Sequence, residues 1–285
     1  MISILPREIL SQIFSHLTLS DQLQCNLVCQ QWHWAFLDPN LHDGKTVLKF
    51  ANDEVFLQSL DLLLKSDVTQ AIRHLAFEKI NVNLFSVRPI QDWSLVLSKI
   101  RFLTLIDASI ASELELVQLL KSTANLNGLR INYARDIFIS GGFLSSQSDR
   151  EELRSVLSKV CFLDLSVNSP YLTDQIFNRI TYCTPNVSDL VLDNTKILNH
   201  SGIYKKHYPA SVVSFDSPSV LTWRNIFRYL VENAENFKSL SFYNSGIPSS
   251  GLIDLSHSEK LRLLALNIGK CSDITLGKVL NSHIK

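Results

Sequence analysis

A short apolar pattern that returns along most of the chain constrains its fold more than any other feature. From residue 45 onward, the template apolar-x-x-apolar-x-apolar recurs about every 27 residues. The central positions of its copies, beginning with a weak first copy, are Leu48, Leu75, Leu103, Leu129, Leu163, Leu190, Val213, Leu240 and Leu264. Helical patterns separate the copies, as in Glu113-Leu114-x-x-Val117-x-x-Leu120 and Val220-x-x-Trp223-x-x-Ile226-Phe227-x-x-Leu230. A unit of one strand and one helix cannot bury its apolar face alone, so the sequence predicts an α/β solenoid with a parallel concave sheet and convex helices.

The copies are irregularly spaced. The longest interval between copies, between Leu129 and Leu163, contains the Gly/Ser-rich stretch 140–148, which predicts a mobile loop. A short interval through residues 199–209 leaves little room for a full helix. After the copy around Leu264 only one helix-like stretch follows, so we expect an unprotected final edge and a chain that is a shortened form of a longer array.

The first 44 residues have a helical pattern instead. Pro6 and Glu8 suit a helix start, and Ile9, Ile13 and further apolar residues follow at helical spacing. A second helical stretch begins after Ser20, a good N-cap, and ends by Pro39. Two or three such helices form too small a core to be stable alone. Their apolar surface must be covered either by the following domain or by a separate partner that receives the helices in a groove.

This segment resembles a known motif. The pattern Leu5-Pro6-x-Glu8-Ile9-Leu10, Ile13-Phe14, Leu17, Asp21-x-Leu23, Val28-Cys29-x-x-Trp32 and Leu41 resembles the F-box, which docks onto the Skp adaptor of SCF-type ubiquitin ligases. One departure is His42, where the family often carries tryptophan. The resemblance implies an adaptor contact, or a role in shaping it, for Leu5, Pro6, Ile9, Ile13, Phe14, Leu23, Val28, Cys29 and Trp32. Internal packing of the bundle is the alternative for each residue, and we favour it for Leu17, Leu27 and Phe36.

The repeats resemble the cysteine-containing leucine-rich repeats of F-box proteins. The resemblance is most visible in Leu261-x-x-Leu264-x-Leu266 followed by Cys271-x-x-Ile274-Thr275, although this copy has two extra residues before the cysteine. Asn168 alone occupies the place of the ladder asparagine of such repeats. The chain is thus interpreted as an F-box at 1–44 and a leucine-rich-repeat solenoid at 45–285, with about eight to nine irregular repeats.

The two resemblances together imply a function. The chain would be the substrate-recognition subunit of an SCF-type E3 ubiquitin ligase, with partners in the Skp adaptor, through it a cullin scaffold, and a protein substrate held by the repeats. One alternative is a scaffold that binds the adaptor without promoting ubiquitination.

The predicted concave face suggests where a substrate would bind. Residues that flank a buried strand leucine point to the opposite face, and there the sequence places an acidic patch and an apolar patch. The predicted contacts are acidic Asp164, Asp189, Asp193 and Asp216, apolar Phe102, Ile106 and Phe162, and Arg130 between them. This arrangement would favour a ligand with a basic stretch next to an apolar anchor. The alternative is a face of ordinary solvated charges.

Composition excludes several other classes. Lys and Arg together number 27, as do Asp and Glu, so no electrostatic footprint for nucleic acid is expected. No apolar run is long enough for a membrane span, and no secretion signal is present, so a cytoplasmic or nuclear protein is predicted. Five scattered cysteines, an odd number, suit a reducing compartment.

No local catalytic signature is present, so we expect a non-catalytic chain with no cofactor. Cys25, Cys29 and His33 share one helical face, but without a fourth ligand we predict no metal site. A hydrolase-like Ser/His/Asp site hidden in the irregular repeats is the remaining enzymatic alternative.

Overall fold

A helical segment and a parallel β-sheet make up the described part of the chain. The structure is a computed structural model and describes residues 5–17, 21, 24–25, 27–36, 47–58, 72–109, 111–198, 220–258 and 260–270. Two separate clusters of buried apolar side chains lie in these ranges. The smaller belongs to the N-terminal helices, and the larger runs through the sheet and its helices.

The N-terminal segment forms helix α1 (Arg7–Phe14) and helix α2 (Gln30–Phe36), which pack against each other. Residues 27–29 form a turn rather than a continuation of the preceding helical residues. This turn interrupts the second helical stretch that the sequence predicts between Ser20 and Pro39.

Eight strands form one sheet in which each strand pairs in parallel with the next one along the chain. The strands are β1 (Val47–Phe50), β2 (His74–Glu78), β3 (Phe102–Ile106), β4 (Gly128–Asn132), β5 (Phe162–Asp164), β6 (Asp189–Val191), β7 (Ser239–Ser241) and β8 (Ala265–Asn267). Strand order that follows chain order, with helices between strands, is the architecture of a repeat solenoid. The α/β prediction is confirmed at this level.

The central leucines of the repeats lie directly opposite one another across the sheet. The aligned leucines are Leu48, Leu75, Leu103, Leu129, Leu163, Leu190, Leu240 and Leu266. All but the first and last are at most 1 % exposed, because they point into the layer between sheet and helices. The sequence placed seven of these eight positions correctly.

The last repeat is shifted by two residues from its prediction. Leu266, not Leu264, pairs with Leu240, and Leu264 is 79 % exposed. The pattern Leu-x-x-Leu-x-apolar fits this segment in either frame, and a slip of two residues keeps every side chain on the same face of the strand. In the correct frame, Ile268 and Cys271 take the usual spacing from Leu266, so the two extra residues before the cysteine disappear.

The copy predicted around Val213 lies outside the described residues. Strand β6 pairs directly with β7, so no strand stands between them. Leu198 and Thr222 instead form an isolated parallel bridge on either side of the undescribed segment.

A left-handed bend follows each strand from β2 to β8, four residues after the central leucine. The bend residues, with φ between 49° and 59°, are Lys79, Asp107, Tyr133, Val167, Asn194, Asn244 and Lys270. The backbone N–H at most of these bends donates to the next repeat, as from Asp107 to the Asn132 carbonyl at 3.0 Å. None of the seven is glycine, although this conformation is unfavourable for residues with a Cβ atom.

Helices cover one face of the sheet. They are α3 (Leu84–Val87), α4 (Ile90–Leu97), α5 (Glu113–Lys121), α6 (Arg135–Phe138), α7 (Gln147–Val156), α8 (Asp174–Cys183), α9 (Trp223–Glu232) and α10 (Ser249–His257). Both helical patterns of the sequence are confirmed, as α5 and α9. Several helices begin with a side-chain N-cap, including a capping box between Ser112 and Glu115.

The Gly/Ser-rich stretch 140–148 is packed against the solenoid, contrary to the mobile loop predicted for it. Phe143 is 1 % exposed, and Arg179 donates to the carbonyls of Gly141 and Phe143 at 2.8 and 2.9 Å. A buried aromatic ring and a shared guanidinium therefore fix this connection. Its composition indicated a loop, but the partners that hold it lie more than 30 residues away.

Asn168 is a ladder asparagine, as predicted. Its Nδ2 donates to the carbonyls of Ile131 and Leu165 at 2.5 and 2.9 Å, and its Oδ1 accepts from the Ala134 N–H at 2.7 Å. The side chain is 2 % exposed and joins two consecutive repeats.

Candidate functional site

The N-terminal helices have a small core of their own. Leu10, Phe14, Ala35 and Phe36 are buried in it, and the rings of Phe14 and Trp32 meet edge to face at 5.3 Å. Two hydrogen bonds fix the crossing of α1 and α2. Ser11 Oγ donates to the Ala35 carbonyl at 3.1 Å, and Gln31 Nε2 donates to the Leu5 carbonyl at 2.7 Å.

This core leaves an apolar surface uncovered by the described residues. On α1, Ile9 and Ile13 are 42 % and 46 % exposed. Each precedes a buried residue, Leu10 or Phe14, by one position and so lies about 100° away from it around the helix axis. The turn before α2 adds Val28 at 61 %. Large apolar side chains at this exposure on neighbouring turns are typical of a protein-binding surface.

The predicted adaptor residues fall into two groups. The exposed or half-buried ones are available to a partner: Leu5, Pro6, Ile9, Ile13, Val28, Cys29 and Trp32. Phe14 is 1 % exposed and lies in the small core, so among the described residues it is placed behind the exposed face of α1 rather than on it. Leu23 lies outside the described residues.

Internal packing was predicted for Leu17, Leu27 and Phe36, and this prediction is wrong for Leu27. It is 76 % exposed because it lies in the turn before α2 rather than within a helix. Phe36 is buried and Leu17 packs partly against the same core, as predicted.

The same turn separates Cys25 and Cys29 from the regular helix that carries His33. Among the described residues no group of three His, Cys, Asp or Glu side chains could hold a metal ion. The four described cysteines are free thiols.

From β2 to β8, the uncovered face of the sheet carries three rows of side chains. The first row, one residue before each central leucine, is His74, Phe102, Gly128, Phe162, Asp189, Ser239 and Ala265. The second row, one residue after it, is Ala76, Thr104, Arg130, Asp164, Val191, Ser241 and Asn267. The third row, three residues after it, includes Glu78, Ile106, Asn132, Ser166, Asp193 and Tyr243. The predicted substrate residues of the described chain all lie in these rows.

A pocket of about 210 Å³ opens on the concave face over β2 to β5. Its lining is His74, Phe102, Leu103, Thr104, Gly128, Arg130 and Phe162. Phe102, Arg130 and Phe162 were predicted as substrate contacts, and the structure brings them together. The sequence analysis does not predict His74, Thr104 and Gly128 as substrate contacts. Their positions in the first and second rows, beside the predicted residues, could have indicated them.

Arg130 and Asp164 form an ion pair within the second row. Arg130 Nε donates to Asp164 Oδ2 at 2.7 Å, and the guanidinium carbon lies 5.9 Å from the centre of the Phe162 ring. Asp164 Oδ1 accepts from the Ser166 N–H at 3.0 Å. Both carboxylate oxygens are therefore occupied.

The predicted acidic patch is not a set of solvated charges. Asp164 is 4 % exposed and paired, which contradicts its placement as an exposed charge. Asp193 Oδ1 accepts from Ser241 Oγ and from the Tyr243 N–H, and Asp189 accepts from Ser188 Oγ. The carboxylates serve strand-to-strand and local hydrogen bonds. Asp216 lies outside the described residues, and Ile106 lies in the third row, away from the pocket lining.

Comparison with protein families concerns the N-terminal helices. A family described as F-box-like matches residues 2–43. The chain carries an F-box-like domain at its N-terminus. The match ends before β1, and the exposed apolar surface of α1 and the turn before α2 belongs to the F-box-like domain. F-box domains generally bind the Skp adaptor, which supports that partner.

No curated protein matches the chain. No helix in the described ranges combines the length and apolar character needed to cross a membrane.

Proposed function

We propose that the chain is the substrate-recognition subunit of an SCF-type ubiquitin ligase. The F-box-like domain binds the Skp adaptor, the adaptor links the chain to a cullin, and the repeats, which we interpret as leucine-rich repeats, bind a protein substrate. The observation that carries this proposal is the F-box-like match to residues whose apolar side chains form an exposed surface.

The mechanism is tethering. A substrate held on the concave face has its lysines at a high effective concentration near a ubiquitin-conjugating enzyme bound elsewhere in the assembly. The chain itself performs no bond chemistry and needs no cofactor. It raises the rate of ubiquitin transfer only by holding the substrate and the adaptor on one chain, which keeps the substrate close to the conjugating enzyme.

The adaptor interface would bury the exposed face of α1. Each side chain the size of isoleucine contributes about 1.5–3 kcal/mol when it goes from water into an apolar contact. Ile9 and Ile13 are each already more than half covered, so we expect each to contribute about 1 kcal/mol to the free energy of adaptor binding. A charge placed there would be desolvated without a partner, which is far more costly than truncation.

The test is co-purification of the full chain with the Skp adaptor and the cullin. We expect the wild type to retain both, and the double variant Ile9→Asp, Ile13→Asp to lose both, with at least a hundredfold drop in adaptor affinity. A matched control is Ile139→Asp, Ile253→Asp, because these isoleucines are 57 % and 48 % exposed in the solenoid. The control should bind the adaptor like the wild type.

Three results would change the proposal. Adaptor without cullin would favour the scaffold alternative, in which nothing is sent for ubiquitination. Equal loss in both double variants would point to a general effect of the charges. A folded wild type that binds neither protein would refute the proposal.

A further inference from the structure

The concave pocket has the size of an anchor site for one side chain. Its volume of about 210 Å³ is below the roughly 300–1,000 Å³ of typical small-molecule sites. Phe102 and Phe162 flank Gly128 in register, so their Cα atoms are two strand spacings, or about 10 Å, apart. An apolar side chain of a protein partner could pack against these two rings, both of which line the pocket.

Gly128 is required for the shape of this pocket. A Cβ atom at position 128 would lie 2.2 Å from Cδ1 and 2.3 Å from Cε1 of Phe102. The Phe102 ring therefore lies across the bare backbone of β4 and forms both a wall and part of the floor. Any larger residue at 128 would push this half-buried ring into the space that a ligand would take.

The charge that faces the pocket is positive. The Arg130 side chain is 39 % exposed, whereas that of Asp164 is 6 % exposed with both oxygens engaged. Among the described residues, Arg130 donates a hydrogen bond through Nε alone. The N–H groups of Nη1 and Nη2 therefore remain available to a ligand. A guanidinium fixed in this way presents two parallel donors, the arrangement that binds a carboxylate with two hydrogen bonds.

Other charged groups near the pocket do not change this sign. Burial, and secondly the nearby Arg130 guanidinium, lowers the pKa of His74, so this imidazole is neutral at physiological pH. Its Nε2 lies 2.9 Å from Thr104 Oγ1. Glu78 pairs with Lys49 at 2.7 Å beyond the pocket. Asp189, beside Phe162 in the first row, is the acidic group that an anionic ligand must avoid.

We propose that this pocket anchors an acidic–apolar peptide segment of the substrate. An aromatic or branched apolar side chain packs on the Phe102 ring beside Phe162, and an Asp or Glu one or two residues away binds the Nη donors of Arg130. This deepens the proposed function and rests on it, because it names the substrate class of the same concave face. It also differs from the basic ligand predicted from sequence, since Asp164 is paired with Arg130 and Asp193 accepts hydrogen bonds from Ser241 and Tyr243.

The test is selection of a displayed library of random dodecapeptides on the immobilised full chain. We expect enriched peptides to carry Asp or Glu within two residues of Phe, Tyr, Trp, Leu or Ile. Binding of the most enriched peptide is then measured by fluorescence polarisation on each variant. Arg130→Gln should weaken it about tenfold or more, because a charge-assisted bidentate contact is lost. Arg224→Gln, at an exposed position on α9, is the matched control and should leave the affinity unchanged.

Two further variants separate the anchor from the charge. Gly128→Ala should weaken every enriched peptide by displacing the Phe102 ring, while acidic residues remain preferred. Asp164→Asn should strengthen acidic peptides several-fold, because it removes the negative partner of Arg130 and keeps a hydrogen-bonding side chain. Thermal unfolding of each variant shows that the fold is intact, and an opposite change in affinity for either variant would overturn the proposal.

The peptide selection tests the pocket whether or not the chain acts in a ligase, because it uses no adaptor. Enrichment of basic peptides would overturn the inference in favour of the acidic patch. Enrichment that is insensitive to Arg130→Gln and Gly128→Ala, or no enrichment over a blank surface, would also overturn it. Failure of the proposed function would appear separately, as failure to co-purify with the adaptor.

Discussion

At the scale of single residues, Asn168 connects two repeats through hydrogen bonds to their main-chain groups. It serves two carbonyls and one N–H, all in a buried position. Asn186 offers a useful contrast, because it is exposed and its Nδ2 makes one hydrogen bond, to the Ser158 carbonyl.

Asn168→Ala should lower the free energy of unfolding by about 3 kcal/mol, since a buried group left without its partner costs roughly 1–3 kcal/mol. Asn186→Ala should cost about 0.5 kcal/mol, because water replaces its partner. Denaturant unfolding followed by circular dichroism measures both. Equal effects for the two asparagines would show that the ladder position carries no special weight.

The residues of the concave pocket show what a sequence can and cannot indicate at this scale. Alternation along each strand was enough to place Phe102 and Phe162 on one face, two strands apart. The pairing of Arg130 with Asp164 was also within reach, because both follow a central leucine on neighbouring strands. The engagement of Asp193 by Ser241 and Tyr243 was not, because β6 and β7 are distant in the sequence and only the structure shows that they pair.

At the scale of elements, the aligned central leucines were predictable because each strand repeats one short apolar template. The exception is β8, where the apolar template does not fix the frame. Two overlapping templates fit its sequence, and the bend at Lys270, a property of the backbone, distinguishes them.

The corrected frame of β8 makes opposite predictions for two apolar residues. Ile268 is 3 % exposed, so Ile268→Ala should cost about 2 kcal/mol, near the lower limit for buried large-to-small changes because it lies in the last described repeat. Leu264→Ala should change stability by less than about 0.5 kcal/mol. Thermal unfolding of the two variants is the measurement. If Leu264→Ala were the more destabilising change, Leu264 rather than Leu266 would be the central buried leucine of the last strand, as the sequence predicts.

At the scale of the whole molecule, two separate cores imply two levels of stability. In its described residues the F-box-like domain buries four apolar side chains in its core, whereas the solenoid core runs from Phe50 to Ile268. In a repeat array each unit is stabilised by its neighbours, so the central strands should be the most protected.

Hydrogen exchange should reveal this difference and the effect of the adaptor. Amides of α1 and α2 should exchange faster than those of β3 to β5 in the free chain. Saturating Skp adaptor should slow exchange in α1 and α2, because a partner that binds only the folded state stabilises it. The Ile9→Asp, Ile13→Asp chain should show no such slowing. Slowing in β3 to β5 instead would place the adaptor on the solenoid.

The recurrent bends have a consequence for how the chain can change in length. At Asp107 and Tyr133 the backbone passes through the same left-handed conformation, with φ of 49° and 55°. Excision of residues 108–133 would therefore join two points of matching geometry, with one strand and its helix removed together. The bends are natural junctions at which whole units can be lost, duplicated or exchanged while the remaining strands keep their alignment.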